Sequence, residues 1–302
     1  MKKSTELLNT HCGTITVVGR PNVGKSTLIN HLLGQKICIT SRKPQTTRHA
    51  MMGVLTRDQC QMIFVDTPGL HQNAPKAINR YMNRAAARSL HDVDLIIFVV
   101  EANRWTEEDQ WVFEKIAGQK IPSLLIVNKV DKMKDKAQLL PYLKRMEERQ
   151  CFAEIVPISA LKKQNLDRLL ERIETYLPKS EFLFDEDQLT DRSQKFLVAE
   201  IIREKILRQT GQEVPHELTV TIDSYQLKDG IYHISAILWV ERDTQKAIVI
   251  GHQGQRLKTV GQQSRLDIEK LIDNKVMLTL WVKVKKGWSD SDKALQGLGY
   301  VE

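Results

Sequence analysis

Two kinds of feature are missing from this sequence of 302 residues. No two of its cysteines lie close enough in the chain for a zinc knuckle or a C-x-x-C redox pair. The four are Cys12, Cys38, Cys60 and Cys151. The sequence also has no apolar run as long as a signal-peptide core or a membrane-spanning helix. We therefore expect a cytoplasmic protein whose thiols are reduced.

The positive charge is concentrated in one part of the second half. The formal net charge is +8 at pH 7. From Asp191 to the end there are 17 Lys and Arg residues against 15 Asp and Glu residues. Residues 244–286, however, contain nine basic and only three acidic side chains. Since a local patch is more informative than the total, this region indicates an anionic partner.

The first half contains a phosphate-binding loop. Residues 19–26 read G-x-x-x-x-G-K-S, between a β-branched strand at 15–18 and a predicted helix over 26–33. The glycines let backbone N–H groups point at phosphates, and the helix N-terminus adds positive charge. Lys25 is predicted to reach the β- and γ-phosphates, and Ser26 to ligate Mg²⁺. The predicted nucleotide contacts here are Gly19, Arg20, Pro21, Asn22, Val23, Gly24, Lys25, Ser26 and Thr27.

Two further segments are predicted to lie at the γ-phosphate. Residues 35–50 are polar and contain a proline, which indicates a loop. Thr47 is the candidate for the second hydroxyl on Mg²⁺, with Thr46 as the alternative. A later strand ends in Asp66, Thr67, Pro68, Gly69 and Leu70, where Asp66 can hold Mg²⁺ through water and Gly69 can offer its N–H to the phosphate. We expect catalysis to depend on Lys25, Thr47 and Gly69.

The base is predicted to be guanine. A buried strand over 123–127 delivers the tetrad Asn128, Lys129, Val130 and Asp131. A carboxylate can accept hydrogen bonds from the ring N–H and the amino group of guanine, and adenine has no such donor pair at that edge. Asp131 therefore selects GTP over ATP, while Asn128 and Lys129 hold the loop. Ser159 and Ala160 follow the last strand, where a backbone N–H would meet the guanine O6.

Strands and helices alternate through this half of the chain. A hairpin is predicted over 51–65, buried strands over 95–100, 123–127 and 155–158, and helices over 107–117 and 166–177. This order predicts an α/β fold, a doubly wound and mostly parallel sheet with one antiparallel hairpin strand. Each motif sits at the C-terminal end of a strand, where such sheets bind ligands. Together the motifs resemble the P-loop G domain of the translational GTPase superclass.

The predicted hydrolysis site has an unusual residue. In Ras-like proteins the residue after the D-x-x-G glycine is a glutamine that orients the attacking water. Here it is Leu70, so we expect slow turnover. His71 is an alternative base, although an exposed loop histidine is the ordinary interpretation. The resemblance to GTPases with a hydrophobic residue here implies that potassium is used, with Asn22 as its ligand.

The second half is predicted to be a separate domain, as the chain length suggests. Residues 179–190 are acidic and aperiodic and are read as a linker whose Phe182 and Phe184 pack against a domain. The predicted order after residue 191 is α-β-β-α-α-β, with G-x-x-G at 251–254 between two helices. It resembles an α+β type II KH domain, which binds single-stranded RNA. The RNA-binding candidates are Gly251, His252, Gln253, Gly254, Arg256, Lys258 and Lys283.

Three signatures extend the resemblance to nearly the whole chain. They are P-Q-T-T-R-H at 44–49, D-T-P-G-L-H at 66–71 and L-W-V-K-V-K-K-G-W at 280–288. With a G domain over 1–178, a linker over 179–190 and a KH domain over 191–302, the chain is similar to the Era-like GTPases of bacteria. His252 and Gln253 depart from this pattern, since the family often has a basic residue in the G-x-x-G loop.

The resemblance implies a function. It implies a GTPase that uses Mg²⁺, binds the 3′ end of small-subunit ribosomal RNA and assists maturation of the small subunit. It also implies peripheral association with the inner membrane, for which the sequence offers no amphipathic anchor. We expect a monomer. The alternative is a guanine-nucleotide-gated RNA or ribosome-binding scaffold whose hydrolysis is incidental. A GTPase that acts on tRNA modification or translation is disfavoured because no further domain is evident.

Overall fold

The computed structural model describes residues 10–41, 43, 45–69, 76–210 and 218–300. Leu70 and His71, which the sequence placed at the hydrolysis site, lie outside the described residues. The chain divides into two compact units. The first comprises Met1–Cys38, Thr47–Asn73 and Met82–Asp191, and the second Ile39–Thr46, Ala74–Tyr81 and Arg192–Glu302. The second unit thus contains two short segments from the first half of the sequence.

The described strands of the first unit form one six-stranded sheet, in the order β2-β3-β1-β4-β5-β6. Strand β2 pairs antiparallel with β3, and the other pairings are parallel. The strands are β1 (His11–Val18), β2 (Met51–Arg57), β3 (Cys60–Asp66), β4 (Leu95–Glu101), β5 (Ser123–Asn128) and β6 (Glu154–Pro157). The predicted doubly wound sheet with one antiparallel hairpin strand is confirmed.

The sequence pattern of these strands follows from their burial. Residues 95–100 of β4 and 123–128 of β5 are buried along their whole length, as expected for parallel strands covered on both faces. The helices of this unit are α1 (Lys25–Leu32), α2 (Ala77–Arg88), α3 (Glu107–Ala117), α4 (Leu139–Glu147) and α5 (Leu166–Glu174). Helix α2 is divided between the two units after Tyr81.

Helices α2 and α4 were not predicted from the sequence. Helix α4 buries only Tyr142 and Met146, so its apolar periodicity is short. It also contains Pro141, which a helix tolerates in its first turn because the N–H groups there have no partner within the helix. No helix among the described residues is long and apolar enough to cross a membrane.

Residues 179–190, predicted to be a linker, lie against the hairpin of the first unit. The side-chain oxygen of Gln61 accepts hydrogen bonds from the Leu183 and Phe184 N–H groups at 2.9 and 3.0 Å. The Val54 N–H donates to the Leu189 carbonyl at 2.9 Å, and the Thr190 hydroxyl donates to the Met52 carbonyl at 2.6 Å. This segment is therefore fixed by backbone and amide contacts, although it forms no helix or longer strand.

The described strands of the second unit form a three-stranded sheet in the order β7-β8-β9. Strand β8 pairs antiparallel with β7 and parallel with β9. The elements are α6 (Gln194–Gln209), β7 (Leu218–Lys228), β8 (Ile231–Val240), α7 (Asp243–Ile250), α8 (Gln255–Ile272), β9 (Val276–Val284) and α9 (Asp292–Gly297). The predicted α-β-β-α-α-β order of a KH domain is confirmed. Strand β7 continues past a β-bulge at Asp223 to Lys228.

One face of this sheet carries the core and the other does not. Ile234, Ala236 and Leu238 of β8 pack with Ile202, Val260 and Ile268 of the helices. Because side chains alternate along a strand, the residues between them point to the opposite face. We call this surface the open sheet face; its residues used below are Met277, Trp281 and Lys283, which are exposed, Trp239, which is partly exposed, and Ile237, which is buried beneath them.

Candidate nucleotide site and nucleic-acid interface

The loop between β1 and α1 needs both of its glycines. Gly19 has φ 148° and Gly24 has φ 109°, a region that side chains rarely adopt. A Cβ at Gly19 would lie 2.4 Å from the Val99 carbonyl oxygen, and one at Gly24 would lie 2.4 Å from the Asn128 amide nitrogen. The loop thus lies in close contact with the ends of β4 and β5. Its backbone has the left-handed conformations at the glycines that a phosphate-binding loop requires.

Lys25 lies inside this loop. Its ammonium group donates to the carbonyl oxygens of Gly19 at 2.8 Å and Arg20 at 3.1 Å. Burial lowers the pKa of Lys25 to about 8, against the opposing attraction of Asp66. A phosphate group would supply the negative charge that this buried ammonium needs.

Three side-chain oxygens meet beside Lys25. The Ser26 hydroxyl donates to Asp66 Oδ2 at 2.7 Å and lies 3.0 Å from the Thr47 hydroxyl. The Thr47 hydroxyl donates to the same Asp66 oxygen at 3.2 Å. Burial raises the pKa of Asp66, and Lys25 and the two hydroxyls partly offset this. The residues predicted to hold a metal are therefore brought together.

The donor set fits Mg²⁺. Hydroxyl and carboxylate oxygens are the ligands that a hard divalent cation prefers. The second oxygen of Asp66, Oδ1, is buried and accepts no hydrogen bond from an N–H or O–H group of the described residues. The alternative ligand Thr46 points elsewhere, since its hydroxyl donates to the Lys43 carbonyl at 2.7 Å. Ser26, Thr47 and Asp66 would hold the ion.

The D-T-P-G segment lies against the phosphate loop. The Thr67 hydroxyl donates to the Val17 carbonyl at 2.8 Å, which joins the end of β3 to β1. A Cβ at Gly69 would lie 2.9 Å from the ring of Pro21. Glycine here lets the backbone approach the loop closely, as the prediction for its N–H requires.

The Asn128 side chain joins three loops. Its amide nitrogen donates to the Val23 carbonyl at 2.8 Å, and its oxygen accepts from the Lys129 and Ala160 N–H groups at 2.7 and 2.9 Å. Asn128 therefore fixes the phosphate loop, the N-K-x-D loop and the Ser159-Ala160 loop together. Asp131 is exposed beside them, and one of its carboxylate oxygens accepts a hydrogen bond from the Ser159 hydroxyl.

A buried charge network links the phosphate loop to the base loop. Arg20 pairs with Glu101 at 3.2 Å and with Asp109 at 3.0 Å, and Lys129 pairs with Glu101 at 3.1 Å. Burial acts to raise the pKa of Glu101, but hydrogen bonds from Lys129 and Arg20 lower it overall. The Arg20 side chain thus bonds to protein carboxylates, leaving its backbone for the nucleotide.

Glu101 and Asp109 were not among the predicted site residues. Glu101 is the last residue of the buried strand β4, and this position at a strand end could have indicated that it belongs to the site. Asp109 also closes the capping box of α3 with Thr106.

Residues 39–46 are called the switch segment below, and helix α6 of the second unit binds Thr40 and Thr46 of this segment. The Glu204 carboxylate accepts hydrogen bonds from the N–H and hydroxyl of Thr40 at 2.9 and 3.3 Å. Arg208 donates to the Thr40 carbonyl at 3.1 Å, and the buried Arg203 donates to the Thr46 carbonyl at 2.5 Å. The next residue along the chain is Thr47, which lies at the predicted metal site of the first unit.

The G-x-x-G loop joins α7 to α8. Gly251, Gln253 and Gly254 have φ of 73°, 48° and 75°. A Cβ at Gly251 would lie 2.6 Å from the Arg256 Cβ, whereas one at Gly254 would meet nothing within 4 Å. No side chain caps the N-terminus of the 18-residue helix α8, so its first N–H groups can meet a phosphate.

The basic candidates are not all at this loop. His252 and Gln253 lie exposed in it, and Lys258 lies exposed on α8 one turn further on. The Arg256 guanidinium donates to the Ile248 carbonyl at 2.6 Å and so bonds to helix α7. Lys283 lies on the open sheet face, with its ammonium 5.9 Å from the Trp239 ring centre.

Two family models match separate parts of the chain. Residues 14–129 match a family described as 50S ribosome-binding GTPase, and residues 213–289 match the KH domain. The first contains the phosphate loop, the D-T-P-G segment and the first two residues of the base loop, Asn128 and Lys129, and the second contains G-x-x-G.

Curated relatives and solved structures agree with this pairing. GTPase Era of Ectopseudomonas mendocina (strain ymp) is 56% identical over 96% of this chain and 97% of its own length. GTPase Era of Pseudomonas aeruginosa (strain LESB58) is 55% identical over 96% of this chain and 95% of its own.

Two crystal structures are similar to the whole chain. One is Era in complex with MgGDPNP and nucleotides 1506–1542 of 16S ribosomal RNA, and the other is a variant of Aquifex aeolicus Era bound to GDP·AlF4⁻. Each is 37% identical, has a TM-score of 0.94 and covers 97% of this chain and 100% of its own. The identity and the coverage of both chains show the family, and the chain belongs to the Era family of GTPases.

Proposed function

We propose that this protein is a GTP-hydrolysing switch that binds the 3′ end of small-subunit ribosomal RNA and assists assembly of the small subunit. The observation that carries the proposal is the placement of the switch segment. It is bound by α6 of the unit that contains G-x-x-G, and it runs directly into Thr47 at the predicted metal site. A nucleotide and an RNA site joined by such a segment can affect each other.

The nucleotide half of the mechanism rests on positioning and charge. The backbone of residues 19–24 and the Lys25 ammonium receive the phosphates. The Gly69 N–H faces the γ-phosphate, and Asp131 reads the guanine with Ser159 orienting its carboxylate. When bound by Ser26, Thr47 and Asp66, Mg²⁺ neutralises charge on the phosphates. We place the catalytic roles on Lys25, Thr47 and Gly69.

The RNA-binding half of the mechanism depends on the close approach of RNA phosphates to the protein backbone. The two glycines of residues 251–254 let phosphates reach the backbone and the N-terminus of α8, as in KH loops. A solved relative binds nucleotides 1506–1542 of 16S ribosomal RNA, which supports the choice of RNA. We expect the protein to act in the cytoplasm, where ribosomal subunits are assembled. Peripheral membrane association and the domain boundaries at residues 178 and 191 stay predictions.

Replacing both His252 and Gln253 by aspartate tests the RNA site. Two carboxylates beside the first N–H groups of α8 would repel phosphates, so RNA binding should fall by at least about 100-fold. Both side chains are exposed, so the fold should be kept. Fluorescence anisotropy with a labelled RNA of the 16S 3′-end sequence would measure the loss. GTP affinity is the internal control and should not change. RNA affinity equal to that of the unmodified protein would refute the assignment.

Potassium dependence tests the hydrolysis mechanism. Asn22, the predicted ligand, lies in the phosphate loop with φ 62°. Single-turnover hydrolysis should be faster in potassium than in sodium, and Asn22→Ala should remove the difference. Equal rates of the unmodified protein in both salts would contradict the potassium prediction.

The same assay separates the switch from a scaffold in which hydrolysis is incidental. Leu70 favours the scaffold, because a leucine cannot orient water. A rate that neither potassium nor small ribosomal subunits raise would support the scaffold.

A further inference from the structure

We propose that the open sheet face of the second unit is a second contact surface for single-stranded RNA, on which a base stacks against Trp281. This inference deepens the proposed function and rests on it. The RNA would extend from the G-x-x-G loop on the helical side of the sheet, across its edge, and onto this face.

Trp281 is placed as a stacking residue. It lies in the middle of β9, yet 58% of it is exposed, as is 58% of Met277 on the same face. Its strand neighbours Leu280 and Val282 point into the helical core instead. An exposed aromatic ring on a sheet is the platform used by several single-strand-binding folds, because every base has a face that can stack.

A second tryptophan on the face orients the lysines. Trp239 donates its ring N–H to the Thr221 hydroxyl at 2.9 Å, which fixes the ring. The ammonium groups of Lys283 and Lys285 lie 5.9 and 5.8 Å from its centre, within the range of a cation–π contact. The two cations thus lie at Trp239, and Lys283 is two residues from Trp281 on the same face of β9, where the phosphates that flank a stacked base would pass.

The register of the sheet sets the distance between Trp239 and Trp281. Ile237 pairs with Trp281 and Trp239 pairs with Lys283, so the two tryptophans are diagonal neighbours on adjacent strands. Two residues along one strand and one step across to the next place their Cα atoms about 8 Å apart. Aromatic and cationic groups therefore alternate over a short distance, which suits a strand of alternating bases and phosphates.

The path from the G-x-x-G loop is short. Strand β9 is the edge strand of the sheet, and helix α8 lies against it, with Gly261 close to Leu280. RNA leaving the N-terminus of α8 would need to cross only this edge to reach Trp281. On the opposite edge strand, the Tyr300 hydroxyl bonds to Thr219 of β7 at 3.0 Å, in the same row of the sheet as Trp239 and Lys283.

Charge favours RNA over an apolar protein segment as the occupant. The exposed end of β9 continues into Lys283, Lys285 and Lys286, and no acidic residue lies between Lys275 and Lys286. A protein partner with an apolar surface would have to bury these ammonium groups without a counter-charge.

The test compares RNA lengths in the full-length protein. The short RNA has about four nucleotides, the number that a G-x-x-G loop clamps, and the longer RNAs add about eight more at the 5′ or the 3′ end. One extension should raise affinity. Trp281→Ala should remove that gain, a loss of roughly 5- to 150-fold for the longer RNA, and leave the short RNA unchanged. Trp281→Phe should keep most of the gain.

Two variants give matched controls. Trp111→Ala removes a tryptophan of the first unit that, like Trp239, has a lysine over its ring, with the Lys115 ammonium 4.5 Å from the ring centre. This variant should bind the short and the long RNA as tightly as the unmodified protein does. The double aspartate variant at 252 and 253 should lose both RNAs, so loss of the proposed function is distinguishable from loss of this surface.

Several outcomes would overturn the proposal. If Trp281→Ala bound both extended RNAs as tightly as the unmodified protein does, Trp281 would not contact RNA. If the variant lost the same factor of affinity for short and long RNA, the substitution would be acting on the G-x-x-G loop instead. If Trp281→Ala kept RNA affinity and lost binding to small ribosomal subunits, the face would belong to a protein contact.

Discussion

Replacing Asp131 by asparagine is expected to lower GTP affinity by about 100-fold or more, roughly 3 kcal/mol, and to make xanthosine triphosphate the better ligand. The carboxylate would accept from the ring N–H and the amino group of guanine, whereas an amide presents its own N–H to one of them. Xanthine has an oxygen at that edge and would accept the amide hydrogen. Isothermal titration calorimetry with GTP and with xanthosine triphosphate measures this change of preference.

The contact between Asp131 and Ser159 supplies the control. Ser159 is buried, donates its hydroxyl to the Asp131 carboxylate and accepts from the Lys162 N–H at 3.2 Å, so Ser159→Ala leaves the carboxylate in place and removes both hydrogen bonds that orient it in this loop. We expect a loss of roughly tenfold or less in GTP affinity, with the preference for guanine kept. If Asp131→Asn kept its affinity for GTP and did not bind the xanthine nucleotide, another residue would have to read the base.

Replacing Arg203 by alanine is expected to weaken both the second unit and the link to the nucleotide. Arg203 is 1% exposed and pairs with Glu200 at 2.6 Å while donating to the Thr46 carbonyl. Removing one partner of a buried ion pair typically costs about 3–5 kcal/mol, because the remaining charge stays buried. The loss should appear as faster amide hydrogen exchange in helix α6 and a lower urea midpoint.

The same variant should uncouple nucleotide from RNA. In the unmodified protein, RNA should bind more tightly with a non-hydrolysable GTP analogue than with GDP, by about 5- to 150-fold. Without Arg203 the switch segment loses its contact at Thr46, so this ratio should move towards one, and Arg203→Lys should restore part of it. Reciprocity requires RNA to change the affinity for the GTP analogue by the same factor.

Arg172→Ala is the matched control for stability. Arg172 pairs with Glu154 in the first unit and is 44% exposed, so solvent screens this ion pair and its loss should change stability little. If the unmodified protein bound RNA equally tightly with the GTP analogue and with GDP, the two sites would act independently, and the proposed switch would have to be abandoned.

The nucleotide site was predictable because its signals are local. Gly19, Gly24 and Lys25 lie within seven residues, between a strand and a helix that the sequence also shows. The base loop follows a fully buried strand, so its place at the sheet edge follows from the strand order. The G-x-x-G loop could be placed for the same reason, from the helices on either side.

The rest depends on contacts between distant residues. Nothing near Arg20 in the sequence indicates that its side chain pairs with Glu101 and Asp109, more than 80 positions away. The position of Lys283 on the open sheet face depends on which side of β9 the helices cover. Helix α4 was missed because too few of its residues are buried to give a period.

The switch segment has a consequence for how the chain is made on the ribosome. Thr46 precedes its partner Arg203 by 157 residues. At about 5–20 residues per second, roughly 8–30 s of synthesis separate the two. The nascent chain therefore presents its phosphate loop well before α6 exists to bind the adjacent segment. The segment that precedes Thr47, the proposed Mg²⁺ ligand, can therefore form its contacts with α6 only after the second half has emerged.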